Sequence, residues 1–188
     1  MTPGSLAAAF AVGLVLAIIL FLAVTSYNAV MALRQRIDKA WANIDVLLKQ
    51  RHDQLPALVS AVRGLLAFEQ GVLTEVAQAR AAYSPTEPIP EQAVHAEATS
   101  RAVRSLFAVV EAYPEVKADA NVLDLQNEIE RLEGMIADRR ELYNDQVYRY
   151  NTRISTWPTL LLAPLFGWRQ RQFFAAAPDE TARPATDL

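Results

Sequence analysis

The first 33 residues of the chain carry no charged side chain, and nothing else in the sequence restricts the fold so strongly. Within them, Leu6 to Thr25 is one apolar run. Twenty helical residues rise about 30 Å, the thickness of a bilayer's hydrocarbon core. Twelve of the run's residues are Leu, Ile, Phe or Val; at about −0.3 to −0.6 kcal/mol each near the membrane centre, insertion gains roughly 5 kcal/mol. A cleaved signal peptide fits less well, because it expects a basic leader and an apolar stretch of about 7–15 residues. Met1 to Ser5 holds no basic side chain, and Ala23-Val24-Thr25 makes a poor cleavage site. The expectation is a single-pass anchor through Leu6–Thr25, with the lipid bilayer as its partner.

Arg34, Arg36 and Lys39 follow the run closely, and no basic side chain precedes it. The positive-inside rule then predicts an inner-membrane protein with its N-terminus outside and its body in the cytoplasm. The chain has no cysteine, so disulfides, thiolate metal sites and a lipidated N-terminal cysteine are excluded.

Beyond the anchor the pattern is helical. Apolar positions recur at alternating steps of three and four from Tyr27 through Val30, Ile37, Trp41, Ile44, Leu48, Leu55, Leu58 and Val62 towards Tyr83, a stripe that faces a partner in coiled-coil fashion. Three charged residues interrupt it: Arg34, Arg51 and Glu69. Pro85, Pro88 and Pro90 end it, since prolines so close together cannot continue a helix. A second helix is expected from about Glu91 to Tyr113, stopped by Pro114. A third is expected from about Ala120 to Ser155, with Ile129, Leu132, Ile136, Tyr143, Val147, Tyr150 and Ile154 on one face.

Pro56 leaves two architectures open. A break near Asp53, with that residue as N-cap, gives an antiparallel four-helix bundle of comparable helix lengths, the preferred all-α arrangement. The alternative is three helices, the first kinked at Pro56 and completing its seam against another copy. The domain division is then an anchor over residues 1–26, a helical bundle over 27–174 and a disordered tail over 175–188.

No chemistry is apparent in the motifs. His52 and His95 lack the Glu-x-x-His spacing of di-iron bundles, and no phosphate-cradling glycine loop or nucleophile elbow occurs. The expectation is a protein without enzymatic activity, cofactor or metal. A net charge of −3 with the two signs interspersed gives no footprint for nucleic acid, and no small molecule is specified. Arg51, Glu69 and Arg139 fall on apolar stripes and form the candidate buried polar set, in which Glu69 pairs with one of the arginines.

The segment Trp157–Phe174 is apolar, aromatic and basic, and too short and proline-broken to span a bilayer. Trp157, Phe166, Trp168, Arg169, Arg171, Phe173 and Phe174 are its candidate contact residues. Two destinies are open. The segment caps the bundle, burying Phe166, Trp168 and Phe173, or it docks on a membrane or partner.

Four stretches also carry a family resemblance. They are Tyr27-Asn28 followed by Ala40-Trp41 with Asn43-Ile44-Asp45 and Leu48 to Asp53; Leu55 to Val59 with Arg63-Gly64 and Glu69; Leu106 to Lys117; and Arg139 to Asp145 with Tyr150 to Ile154 and Phe166-Gly167-Trp168. In these the chain resembles the LemA family of bacterial membrane-anchored proteins. Gln54, Ala57 and Phe68 depart from the family's pattern. The resemblance implies an anchor followed by a helical bundle, and it carries no catalytic residue. The reading is a membrane-anchored interaction or scaffold protein, partnered by another copy or a membrane protein. A membrane-tethered ligand-binding or hydrolytic bundle and a membrane-shaping protein are the alternatives.

Overall fold

A computed structural model describes residues 3–63 and 70–174. Its elements, in order, are the helices α1 (Pro3–Arg63), α2 (Gln70–Ala81), α3 (Ile89–Ala112), α4 (Pro114–Lys117), α5 (Ala120–Ile154) and α6 (Thr159–Leu162). The protein is all-α among the described residues. Residues 64–69 and 175–188, and with them Glu69 and the tail expected to be disordered, lie outside the described residues.

The expected break at Asp53 does not occur. α1 passes through Asp53 and Pro56 as far as Arg63. An interior proline costs about 3 kcal/mol or more, but Leu48, Leu55, Leu58 and Val62 around it are all buried in one continuous stripe. Each fully buried side chain of this kind contributes about 1.5–3 kcal/mol, so keeping the phase outweighs the lost backbone bond. Pro56 itself sits on the exposed side.

The other helix limits follow local rules. Pro90 lies in the first turn of α3, where a missing N–H leaves no bond unmade. At the far end Tyr113 is extended, with φ −119° and ψ 92°, as a residue before proline must be, and α4 starts on Pro114. Asp119 caps α5: its Oδ1 accepts from the backbone N–H groups of Asn121 (2.9 Å) and Val122 (3.1 Å). Gln92 closes the proline loop by donating to the carbonyls of Glu87 (2.8 Å) and Pro85 (3.3 Å).

The described residues form two compact units, one within residues 1–39 and 145–171, the other within residues 40–144 and 172–188. The larger unit holds a core of Leu55, Leu58 and Val62 from α1, Leu73 and Val76 from α2, Val103, Leu106 and Val110 from α3, Val116 from α4 and Val122 and Ile129 from α5. The smaller unit buries Val30 and Ile37 of α1 and Val147, Tyr150 and Ile154 of α5. It also contains the apolar run. One window within Ala9–Arg63 reaches a mean hydropathy of 2.7, and almost none of it is buried by protein. Phe10, Leu14, Ile18, Leu20 and Phe21 all stand exposed, the reverse of what water would select.

Candidate functional site

In the larger unit one buried polar cluster joins three helices. Arg51 of α1, 3% exposed, donates through Nη1 to Glu133 Oε1 of α5 (2.5 Å) and to Ser100 Oγ of α3 (2.8 Å). Its Nη2 donates to the carbonyl oxygen of Ala96 (3.1 Å). Ser100 in turn donates to the second oxygen of Glu133 (2.7 Å). Glu133 remains 26% exposed, which reduces the desolvation cost that makes a fully interior pair expensive. The chemistry is that of a three-helix clasp: the guanidinium's forked donors meet a carboxylate, a hydroxyl and a carbonyl in fixed directions.

Arg51 is therefore the interior charge that its stripe position implies, but Arg139 is not. The stripe of α5 steps from Ile136 to Tyr143, both buried, and the intervening position is filled by a step of four rather than three. Arg140 takes it, half-buried, with Nη1 3.7 Å from Glu97 Oε2; Arg139 is exposed. The acid that meets Arg51 is Glu133, which flanks Leu132 at the edge of the stripe and so carries no signal in the apolar pattern. Among the described residues no group of three or more His, Asp or Glu is placed to hold a metal ion.

The smaller unit holds the aromatic and basic segment. Trp157, joined to Pro158 by a cis peptide bond, is 71% exposed, and Leu161 and Leu165 are 64% and 77% exposed. Thr159, Ala163 and Trp168 are buried instead. Gly167 adopts φ +64°. The Trp168 N–H donates to the Ala163 carbonyl (2.9 Å) and the Gly167 N–H to that of Pro164 (3.4 Å), the paired bonds of a Schellman turn, which needs a left-handed residue at the glycine's place. Tyr27, two residues past the apolar run, meets Phe166 at 5.1 Å and Trp168 at 6.0 Å between ring centres, and Phe166 stacks on Trp168 at 5.0 Å.

The bundle-capping expectation holds for Trp168 only; Phe166 and Phe173 are exposed, and the buried residue of the final pair is Phe174. Asparagine side chains explain the difference. In the smaller unit Asn151 accepts from the Arg171 N–H (2.8 Å) and donates to its carbonyl (2.9 Å). In the larger unit Asn144 does the same for Phe174, at 2.9 and 3.0 Å. There Tyr143 also donates to the Gln172 carbonyl (3.0 Å), and Trp41 packs against Tyr143 and Phe174, 5.8 Å from each. Each amide supplies one acceptor and one donor, which is what an extended residue requires of a neighbouring strand. Arg169 is exposed, and Arg171 Nη2 lies 3.7 Å from Asp38.

The chain is similar over 77 residues to the magnetosome proteins MamQ 1 and MamQ 2 of Paramagnetospirillum magneticum, at 34% identity, and to magnetosome protein MamQ of Magnetospirillum gryphiswaldense, at 31%. The matched stretch is 41% of this chain and 28% of each relative's length. The LemA family matches residues 40–187, which take in the larger unit, the clasp and the asparagine-held tail. That match covers well over half of the sequence: the chain belongs to the LemA family.

Proposed function

We propose that this membrane protein of the LemA family is an anchored interaction scaffold, its α1 crossing the inner membrane and its helical body presented to protein partners in the cytoplasm. The observation that carries the reading is the Arg51–Ser100–Glu133 clasp, whose groups are spent on one another. Three guanidinium N–H groups, both Glu133 oxygens and the Ser100 hydroxyl are paired within the protein, so the cluster is built to join helices. The exposed apolar face of α1 supplies the attachment. Seven basic side chains in the smaller unit, against Asp38 and Asp145 alone, favour the cytoplasmic side. The relatives' names concern magnetosomes; the short matched stretch brings no process to this chain.

The test is a thermal-shift screen of the full chain against small metabolites. A ligand at a hundred times its Kd raises stability by about 2.7 kcal/mol. The scaffold reading expects no such ligand, and expects a photoreactive residue placed at the exposed Leu142 to form a defined adduct with a protein in living cells. A metabolite that stabilises the wild type but not an Arg51→Met/Glu133→Met double variant would establish a binding bundle instead. For the compartment, Thr86→Cys in the exposed proline loop is expected to react with a membrane-impermeant maleimide only after the inner membrane is opened. Labelling without that step would place the body outside.

A further inference from the structure

We propose that Trp157–Phe166 is a second membrane contact, an interfacial wedge that dips into the leaflet from which α1 emerges and lays Trp157, Leu160, Leu161 and Leu165 among lipid chains. The inference rests on the reading of α1 as a bilayer anchor.

Depth is the first argument. Trp157, Pro158, Leu161 and Leu162 line a groove with Ile19, Leu22 and Ala23 of α1. Ile19 lies six residues before Thr25, the end of the apolar run, and so about 9 Å inside the hydrocarbon edge at 1.5 Å per residue. Side chains packed at that height share the environment of Ile19. Interfacial helices reach a similar depth, about 5–10 Å.

The segment's polarity is inverted. Its protein-facing positions are Thr159 and Ala163, while Leu160, Leu161 and Leu165 face outward. In water a short helix would turn the leucines in and the threonine out. Lipid reverses the preference. Much of the local backbone suits the same solvent: the N–H groups of Leu160, Leu161, Ala163, Phe166, Gly167 and Trp168 donate to carbonyls between Thr156 and Pro164, at 2.8 to 3.4 Å, and Pro158 and Pro164 have none to satisfy. Hydrocarbon favours backbone paired in this way.

Charge identifies the occupant as a bilayer rather than a protein groove. The whole chain is net −3, yet the smaller unit is net +5, with seven basic residues against two acidic. Arg153 precedes the wedge and Arg169 follows it, so the chain enters and leaves on one side. An apolar tip flanked by cations matches an anionic lipid surface, where each nearby Lys or Arg contributes about 1 kcal/mol.

The experiment uses the full chain in vesicles of phosphatidylcholine and phosphatidylglycerol, with single spin labels on Leu161→Cys and Leu165→Cys. Ile19→Cys is the bilayer reference and Leu123→Cys, exposed in the larger unit, the aqueous one. Accessibility to oxygen is compared with accessibility to a water-soluble nickel chelate. The wedge expects Leu161 and Leu165 sites to match Ile19, high in oxygen and low in nickel. If they match Leu123 while Ile19 still reads as lipid, the wedge is overturned and the anchor stands. Shielding from both reagents would mean that protein, not lipid, covers the segment, and would also overturn it. If Ile19 itself reads as aqueous, the anchor fails and the wedge fails with it.

Discussion

Arg51 and Glu133 stand 82 positions apart in sequence and meet at 2.5 Å, with Ser100 bridging both. Removing Arg51 leaves Glu133 charged and only partly hydrated. Arg51→Ala is expected to cost less than the about 3–5 kcal/mol of breaking a fully interior pair, and Arg51→Met/Glu133→Met to recover most of the loss, because replacing a whole buried pair with apolar groups is often neutral. Urea midpoints of the single and double variants in detergent provide the check. A double variant no more stable than Arg51→Ala would show that the apolar pair does not replace the clasp.

Gly167 is a backbone requirement alone. A Cβ there meets nothing within 4 Å, yet φ is +64°. Gly167→Ala is expected to cost about 1–2 kcal/mol, the penalty of a left-handed L-residue. Gly167→Asn should cost less, since Asn visits that region more readily. The melting temperatures of the two variants should therefore fall in that order.

Asn144 holds the tail at Phe174 through two bonds, and neither survives truncation to Ala. At about 0.5–1.5 kcal/mol net for each hydrogen bond, Asn144→Ala is expected to free Phe174 from Trp41 at modest global cost. Proteolysis after Phe173 should accelerate well before the helical signal changes. Asn144→Asp keeps the acceptor and loses the donor, and is expected to fall between wild type and Ala.

The Tyr83 hydroxyl has a pKa above the usual value, first because burial disfavours the phenolate and then because Asp45 repels it. A raised acid pKa means that the unfolded chain ionises first. Stability is thus unaffected at neutral pH and falls as pH rises past about 10. Tyr83→Phe is expected to reduce the alkaline loss without abolishing it, since Tyr150 is also raised by burial. Denaturant midpoints at neutral and strongly alkaline pH would show this; an unchanged alkaline slope would contradict it.

Periodicity made α5 legible to within a residue, because a helix of 35 residues repeats its pattern through many turns and every buried position reinforces the next. It also singled out Arg51. At Pro56 it was the matching of helix lengths that failed, because the unbroken stripe of α1 finds its burial in the assembled core. Periodicity itself failed at Arg139, because a step of three and a step of four both continue the pattern, and the packing around Glu97 selects Arg140. The tail was least readable. An irregular segment has no period, so its buried side chains are chosen by Asn144 and Asn151, whose amides grip main chain and leave no trace in the residues they hold. Glu133 escaped for a related reason: nothing local connects an acid on one helix to a base 82 positions away.

The asparagine grip bears on what the tail can become. Asn151 and Asn144 each hold one peptide unit and ask nothing of the side chain attached to it. Any residue but proline, which lacks the donated N–H, can occupy position 171 without losing these bonds, whereas position 174 must also suit the packing against Trp41. The outward positions 169, 170 and 173 are freer still. Two amides fix the path, and the surface carried along it can be rewritten one side chain at a time.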